Sequence, residues 1–216
     1  MFEGFSSKTV DFLWGIRFNN NREWFLEHKK DYVENLYEPM KALGQELFKP
    51  FLDKPGNLLK VSRIYRDARM HHPVPYKESL WICIRQDVEW WAENPCLYFE
   101  ITPDGISYGF FLWKPRTATL AAWRQDWAAH PKKFLKLIRD TEKATGLPIT
   151  AQLYKRPPQE APSKELAPYF AWKGCIGCAV EEAFSEATFG PELVHRVRDL
   201  FQKLMPLYDC FNQFKV

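Results

Sequence analysis

The sequence predicts an α+β fold, with one antiparallel β-sheet flanked by N-terminal and C-terminal helices in a single domain over 1–216. Three observations lead there. Apolar residues recur at helical spacing through the first fifty positions. From Leu58 the pattern changes to short β-branched and aromatic runs separated by turn residues, and helical spacing returns after Thr117. A chain of 216 residues suits one large domain and buries roughly 70% of its unfolded surface.

Ser6 or Ser7 is placed to cap a first helix over 8–16, with Phe12 and Leu13 inward. Asn19-Asn20-Asn21 breaks it, and Asn21 caps a second helix opening at Arg22. There Phe25, Val33, Leu36, Met40, Leu43 and Leu47 advance mostly by three, four or seven. Pro39 is expected to kink or divide this helix, and Pro50 with Pro55-Gly56 to end it. Runs 60–67, 80–86, 97–102 and 106–113 read as strands, and Pro103-Asp104-Gly105 as a hairpin turn. In the third run Phe99 and Ile101 alternate with Tyr98, Glu100 and Thr102, as a half-buried strand requires. Thr117 opens a helix through Trp123 and Trp127 to Ala129. Pro131 opens the next, with Phe134, Leu135 and Ile138 inward and Gly146-Leu147-Pro148 as its stop. Positions 155–162 read as a loop. A final helix is expected from 191 to about 214, with Leu193, Val197, Leu200, Leu204 and Leu207 on its core face and a kink at Pro206. The expected division is therefore helical over 1–56, mainly sheet over 58–113 and mainly helical over 117–216.

Aromatics make up 16% of the chain, so the core is expected to be aromatic, with Trp14, Trp24, Trp90, Trp91, Trp123 and Trp127 as its expected members, although Trp90 and Trp91 cannot both point inward from a strand. The pI of about 8.5 falls short of the ~9 that marks dedicated nucleic-acid domains. No run approaches the 18 apolar residues of a spanning helix, and the first residues lack a signal-peptide pattern. Five cysteines form no disulfide framework, and their odd number points to free thiols in a reducing cytoplasm.

Local charge is more informative than net charge. Lys60, Arg63, Arg66, Arg69 and Lys77 stand against Asp67 within KVSRIYRDARMHHPVPYK, a sum of +4 (five minus one) where the whole chain carries +3. Guanidinium forks present paired donors that match phosphate and carboxylate oxygens, so this density predicts a surface built to receive an anion. In an extended chain Arg63, Tyr65, Asp67 and Arg69 share one face while Lys60, Ile64 and Arg66 share the other. A turn or bulge near Asp67 must therefore intervene before the arginines meet one ligand, and the prolines at 73 and 75 are placed to fold Tyr76 and Lys77 back. The opposing reading is that the arginines serve the fold, paired with Asp67, Glu23 or Glu100.

The elements Arg63, Arg66-Asp67, Arg69 and Pro75-Tyr76-Lys77 carry a resemblance to the mainly bacterial family catalogued as domain of unknown function 2461. Its hallmark is an R-x-x-R-D-x-R-F run followed by P-Y-K. Similarity extends to NNNREWF at 19–25, Tyr32, Pro39, Tyr98-Phe99-Glu100-Ile101, Gly109, Arg124 and Pro206-Leu207-Tyr208-Asp209. Met70 replaces the family's Phe, and His71-His72-Pro73-Val74 replaces its Asp/Asn-Lys pair, so a role resting on that lysine has no counterpart here. The resemblance adds Arg124 to the expected contacts and implies no activity.

The expected ligand-binding set is then Arg63, Arg66, Arg69, Tyr76, Lys77 and Arg124, receiving a small phosphate- or carboxylate-bearing ligand. Three alternatives stay open. One is an enzyme acting on a phosphorylated or carboxylated metabolite, with Asp67 or His72 moving the proton. Another is nucleic-acid binding through Tyr65, Tyr76 and Trp81 among the basic residues; the third is a motif that only supports the fold. No cofactor or metal is expected: Cys175-Ile176-Gly177-Cys178 lacks a second pair, and adjacent histidines in extended chain point apart. Nucleotide-binding glycine motifs and the G-x-S-x-G elbow are absent. No membrane contact is expected, and the oligomeric state is left open.

Overall fold

The computed structural model describes residues 1–67, 69 and 73–213. Its helices are α1 (Ser7–Phe18), α2 (Arg22–Glu27), α3 (Lys29–Tyr32), α4 (Glu38–Phe48), α5 (Thr117–Ala129), α6 (Pro131–Thr145), α7 (Ala167–Phe170), α8 (Glu186–Phe189) and α9 (Leu193–Asn212). Strands β1 (Asn57–Val61), β2 (Leu80–Gln86), β3 (Cys96–Thr102), β4 (Gly105–Leu112), β5 (Thr150–Leu153) and β6 (Trp172–Glu182) form one antiparallel sheet in the order β1-β2-β3-β4-β6-β5. The architecture is α+β, with helices before and after the sheet. Among the described residues no helix is long and apolar enough to cross a membrane.

Contacts divide the chain into two compact units. The first comprises Met1–Ile84, Tyr98–Tyr108 and Glu181–Arg198; the second comprises Arg85–Leu97, Gly109–Val180 and Asp199–Val216.

In the first unit, Ser6 takes extended backbone before α1, and the Thr9 hydroxyl accepts from its N–H at 3.1 Å. Asn21 caps α2 as expected, its side chain accepting from Trp24 N–H at 3.0 Å. The expected break at Pro39 takes another form. A π-helical turn, Val33–Tyr37, joins α3 to α4, and Pro39 lies in the first turn of α4. Having no N–H, Pro39 cannot donate to the carbonyl of Asn35 four residues back. The hydroxyl of Thr9, itself fully buried, donates to that oxygen instead at 2.6 Å. A side chain of α1 thus completes the helix that proline left incomplete. α4 packs on β1, and Phe99 and Ile101 are fully buried while Tyr98, Glu100 and Thr102 are partly exposed.

In the second unit, Trp127 stacks on Phe134 at 4.2 Å and Trp123 meets Phe211 edge-on at 4.6 Å. Phe134 and Ile138 are buried, with Leu135 half-buried beside them. Gly146 ends α6 in the left-handed conformation (φ 72°) that glycine adopts without strain. At Gly109 the main chain of Cys178 and Ala179 comes so close that a Cβ would overlap it.

Two expectations are corrected, and the sheet has two strands that no expectation covered, at positions 150–153 and 172–182 inside the segment read as mainly helical. Gly174 and Gly177 dilute the apolar alternation of β6; they are there because the Trp113 carbonyl and the Phe111 ring approach closely. Position 60–67 is not one strand, since β1 stops at Val61. Trp14, Trp90 and Trp91 are exposed at 36%, 59% and 48%, while Trp123 and Trp127 are buried.

Candidate functional site

The basic segment is shaped by an irregularity immediately after β1. Ser62 N–H donates to the Trp81 carbonyl at 2.8 Å, and Trp81 N–H donates to the Ser62 hydroxyl at 2.9 Å. A side-chain oxygen thereby accepts a bond that a main-chain carbonyl makes in a regular ladder. Pairing resumes two residues later in a shifted register. Lys77 N–H donates to Ile64 at 2.7 Å, Arg66 N–H donates to Pro75 at 2.9 Å, and Tyr65 lies opposite Tyr76. The chain does fold back, and it brings Arg63, Arg66 and Lys77 to one short stretch of paired backbone.

That stretch is anchored from the loop between α1 and α2, from α2 and from α3. The Asn20 side chain accepts from Tyr76 N–H and donates to Tyr76 C=O, both at 3.0 Å, so its amide pairs with Tyr76 as a neighbouring strand would. Tyr76 is 4% exposed and stacks on Phe25 at 4.3 Å, and its hydroxyl is pushed up by burial. Ile64 is fully buried, and its backbone hydrogen-bonds the Tyr32 hydroxyl, which burial likewise raises strongly. The Tyr76 ring therefore serves the core, whereas Tyr65 is 53% exposed.

The cations fall into two groups. Arg69 is tied to Asp67: its main-chain N–H and Nε donate to Oδ1 at 3.0 Å each and its Nη2 to Oδ2 at 2.6 Å. That fork is occupied, and the carboxylate raises the Arg69 pKa. Lys60, Arg63, Arg66 and Lys77 form the other group. Lys77 Nζ donates to the Arg63 carbonyl at 2.8 Å, and the ammonium groups of Lys77 and Lys60 lie 5.6 and 6.0 Å from the Trp81 ring centroid. Burial first, then Lys60, Arg63 and Arg66, push the Lys77 pKa below the ordinary lysine value; Glu100 opposes them. Arg66 Nε donates to the Tyr76 carbonyl at 2.7 Å. Among the described residues no carboxylate pairs with the guanidinium of Arg63 or Arg66. Glu100 instead accepts from the Ser79 hydroxyl at 2.7 Å, and Glu78 and Asp104 hold Arg17.

The model of the family described as "conserved hypothetical protein (DUF2461)" matches residues 8–210. The chain belongs to the DUF2461 family. No curated protein matches it.

Arg124, added to the expected set by resemblance, lies in the second unit of this DUF2461 chain and is 3% exposed. Its Nε and Nη2 donate to the carbonyls of Phe170 and Trp172 at 3.0 and 2.8 Å, and burial lowers its pKa. Those bonds fasten the end of α7 to the start of β6. Asp67 is bound by Arg69, and His72 lies outside the described residues. Cys175 is exposed at φ 47° and Cys178 is 2% exposed with its thiol raised by burial, so the pair does not converge. Among the described residues no cluster of metal-ligating side chains is present, and all five cysteines are free. Sequence reasoning did not find the Asn20 clamp or the Ser62 irregularity. The only hint of the first was NNNREWF among the family similarities; the second has no sequence signal.

Proposed function

We propose that this protein binds a small phosphate- or carboxylate-bearing ligand in its first unit, at Arg63, Arg66 and Lys77, with Lys60 contributing attraction and Arg69 held by Asp67 at the rim. One observation carries the reading. Four cations gather where, among the described residues, Glu100 is the one acid whose charge acts on Lys77, and two guanidinium groups keep terminal donors that no described carboxylate engages. Like charges held this way repel, and a bound anion relieves that repulsion. Charge-assisted bonds of this kind contribute ~1.5–3 kcal/mol each when desolvated. The free thiols and the absence of a spanning helix among the described residues agree with a cytoplasmic setting.

A second reading, single-stranded nucleic acid, draws support from Tyr65, exposed beside these cations. Thermal stability against inorganic phosphate, sugar phosphates, dicarboxylates and short oligonucleotides separates the readings. A ligand at 100 times its Kd adds ~2.7 kcal/mol, a midpoint rise of roughly 5–10 °C for a chain this size. The rise should be lost in Arg63→Ala, whose side chain holds no described fold contact. Oligonucleotide binding that falls steeply with salt selects the second reading. No rise with any probe, or one unchanged in Arg63→Ala and Lys77→Met, overturns the anion site.

A further inference from the structure

We propose that Lys77 is a reactive amine that condenses with the carbonyl of an aldehyde or ketone bearing a phosphate or carboxylate group. This rests on the anion-site reading and narrows it from any small anion to an anionic carbonyl compound.

A carbonyl, three cations, a carboxylate and an aromatic ring surround the Lys77 side chain. Its ammonium is fixed by a 2.8 Å bond to the Arg63 carbonyl, on backbone locked by the Ile64–Lys77 and Arg66–Pro75 bonds. Lys60, Arg63 and Arg66 press positive charge on it; Glu100 and the Trp81 ring attract it. Burial first, and then the neighbouring positive charge, favours the neutral amine relative to a solvated lysine. A neutral amine keeps one N–H on the Arg63 carbonyl and frees its lone pair. The other lysine of the cluster, Lys60, is exposed and has no such bond among the described residues.

A carbonyl compound whose anionic group rests on Arg63 and Arg66 would be held beside that nitrogen, which raises the effective concentration of the two reactants. The Nζ lone pair attacks the carbonyl carbon, forming the C–N bond as the C=O π bond opens to oxygen. A proton passes from nitrogen to that oxygen to give the carbinolamine. Protonation of its hydroxyl and departure of water, with loss of the last N–H proton, leave C=N. Amine plus carbonyl gives imine plus water, and no oxidant or reductant enters.

The test uses the full chain with pyridoxal 5′-phosphate, an aldehyde bearing a phosphate, and pyridoxal, which lacks it. Imines are trapped with borohydride at pH 7 and mapped by peptide mass. Trapping at Lys77 is expected at least tenfold faster than at any other lysine, and slowed at least tenfold by excess inorganic phosphate, by Arg63→Ala or by using pyridoxal. Lys77→Arg, which keeps the charge but removes the primary amine, should abolish the label at this position. If phosphate stabilises the protein but Lys77 reacts no faster than surface lysines, or if Lys60 takes the label, this inference falls and the anion site stands. If phosphate neither stabilises nor competes, and Lys77 is not selected, both fall.

Discussion

Asn20→Ala isolates what holds the basic segment in place. The Asn20 amide makes two bonds to Tyr76, accepting from its N–H and donating to its carbonyl, each at 3.0 Å. Truncation leaves the N–H of a 4%-exposed residue without a partner, whereas the carbonyl keeps the Arg66 Nε bond at 2.7 Å. An unsatisfied buried donor costs ~1–3 kcal/mol and a lost but partly replaced bond ~0.5–1.5 kcal/mol, so the expected total is ~2–4 kcal/mol. For a chain of this size that lowers the thermal midpoint by roughly 5–12 °C. Circular dichroism melts measure the loss, and amide exchange at Tyr76 localises it. Asn20→Asp keeps the acceptor, removes the donor and sets a carboxylate against the Tyr76 carbonyl, so it should fall between wild type and Asn20→Ala. The position also couples to the site, because the clamped strand carries Lys77. Asn20→Ala should weaken phosphate binding although Asn20 touches no proposed ligand contact. A midpoint within about 2 °C of wild type, with Tyr76 exchange unchanged, would refute the claim that this amide stands in for a strand.

Thr9→Val removes the hydroxyl that serves the Asn35 carbonyl at almost constant volume and should cost ~1–3 kcal/mol; in a Pro39→Ala background, where position 39 regains an N–H, denaturant titration should show a smaller cost. Equal costs in both backgrounds would mean the hydroxyl does not compensate for the proline. Arg124→Met keeps the aliphatic stem but abandons the Phe170 and Trp172 carbonyls, so a loss of ~2–4 kcal/mol is expected with phosphate binding unaffected. Reduced binding in a still-folded Arg124→Met protein would restore Arg124 to the ligand set. Tyr32 has a folded-state pKa raised by burial, so its contribution is fully present below pH 10 and is lost as pH rises from there toward its folded value. The stability of wild type relative to Tyr32→Phe should therefore be constant between pH 6 and 9 and shrink above pH 10; a difference that grows there would contradict the assignment.

The readable parts of the chain are those where a residue type has one local use. Asn21 caps α2, Pro131 opens α6, Gly146 closes it, and Pro103-Asp104-Gly105 turns β3 into β4, because each answers a requirement within a few residues of itself. β6 was illegible for the opposite reason: its glycines answer to Trp113 and Phe111, more than sixty positions earlier in the chain, and locally they only weaken a strand pattern. The candidate site divides along the same line. Its charge could be read directly, since +4 in eighteen residues is a property of composition. Which cations are occupied could not, because that depends on distant partners. Arg69 is claimed by a neighbour two residues away, a pairing within reach of sequence reasoning. Arg124 is claimed by carbonyls forty-six and forty-eight residues later, which no local pattern announces. Arg63 presents the converse case: it looks like its neighbours in sequence and differs only in what does not reach it. Hydrogen bonding to distant main chain thus marks Arg124 as an arginine that serves the fold, and its absence makes Arg63, rather than Arg66 with its Tyr76 bond, the cleaner position at which to test the proposed binding.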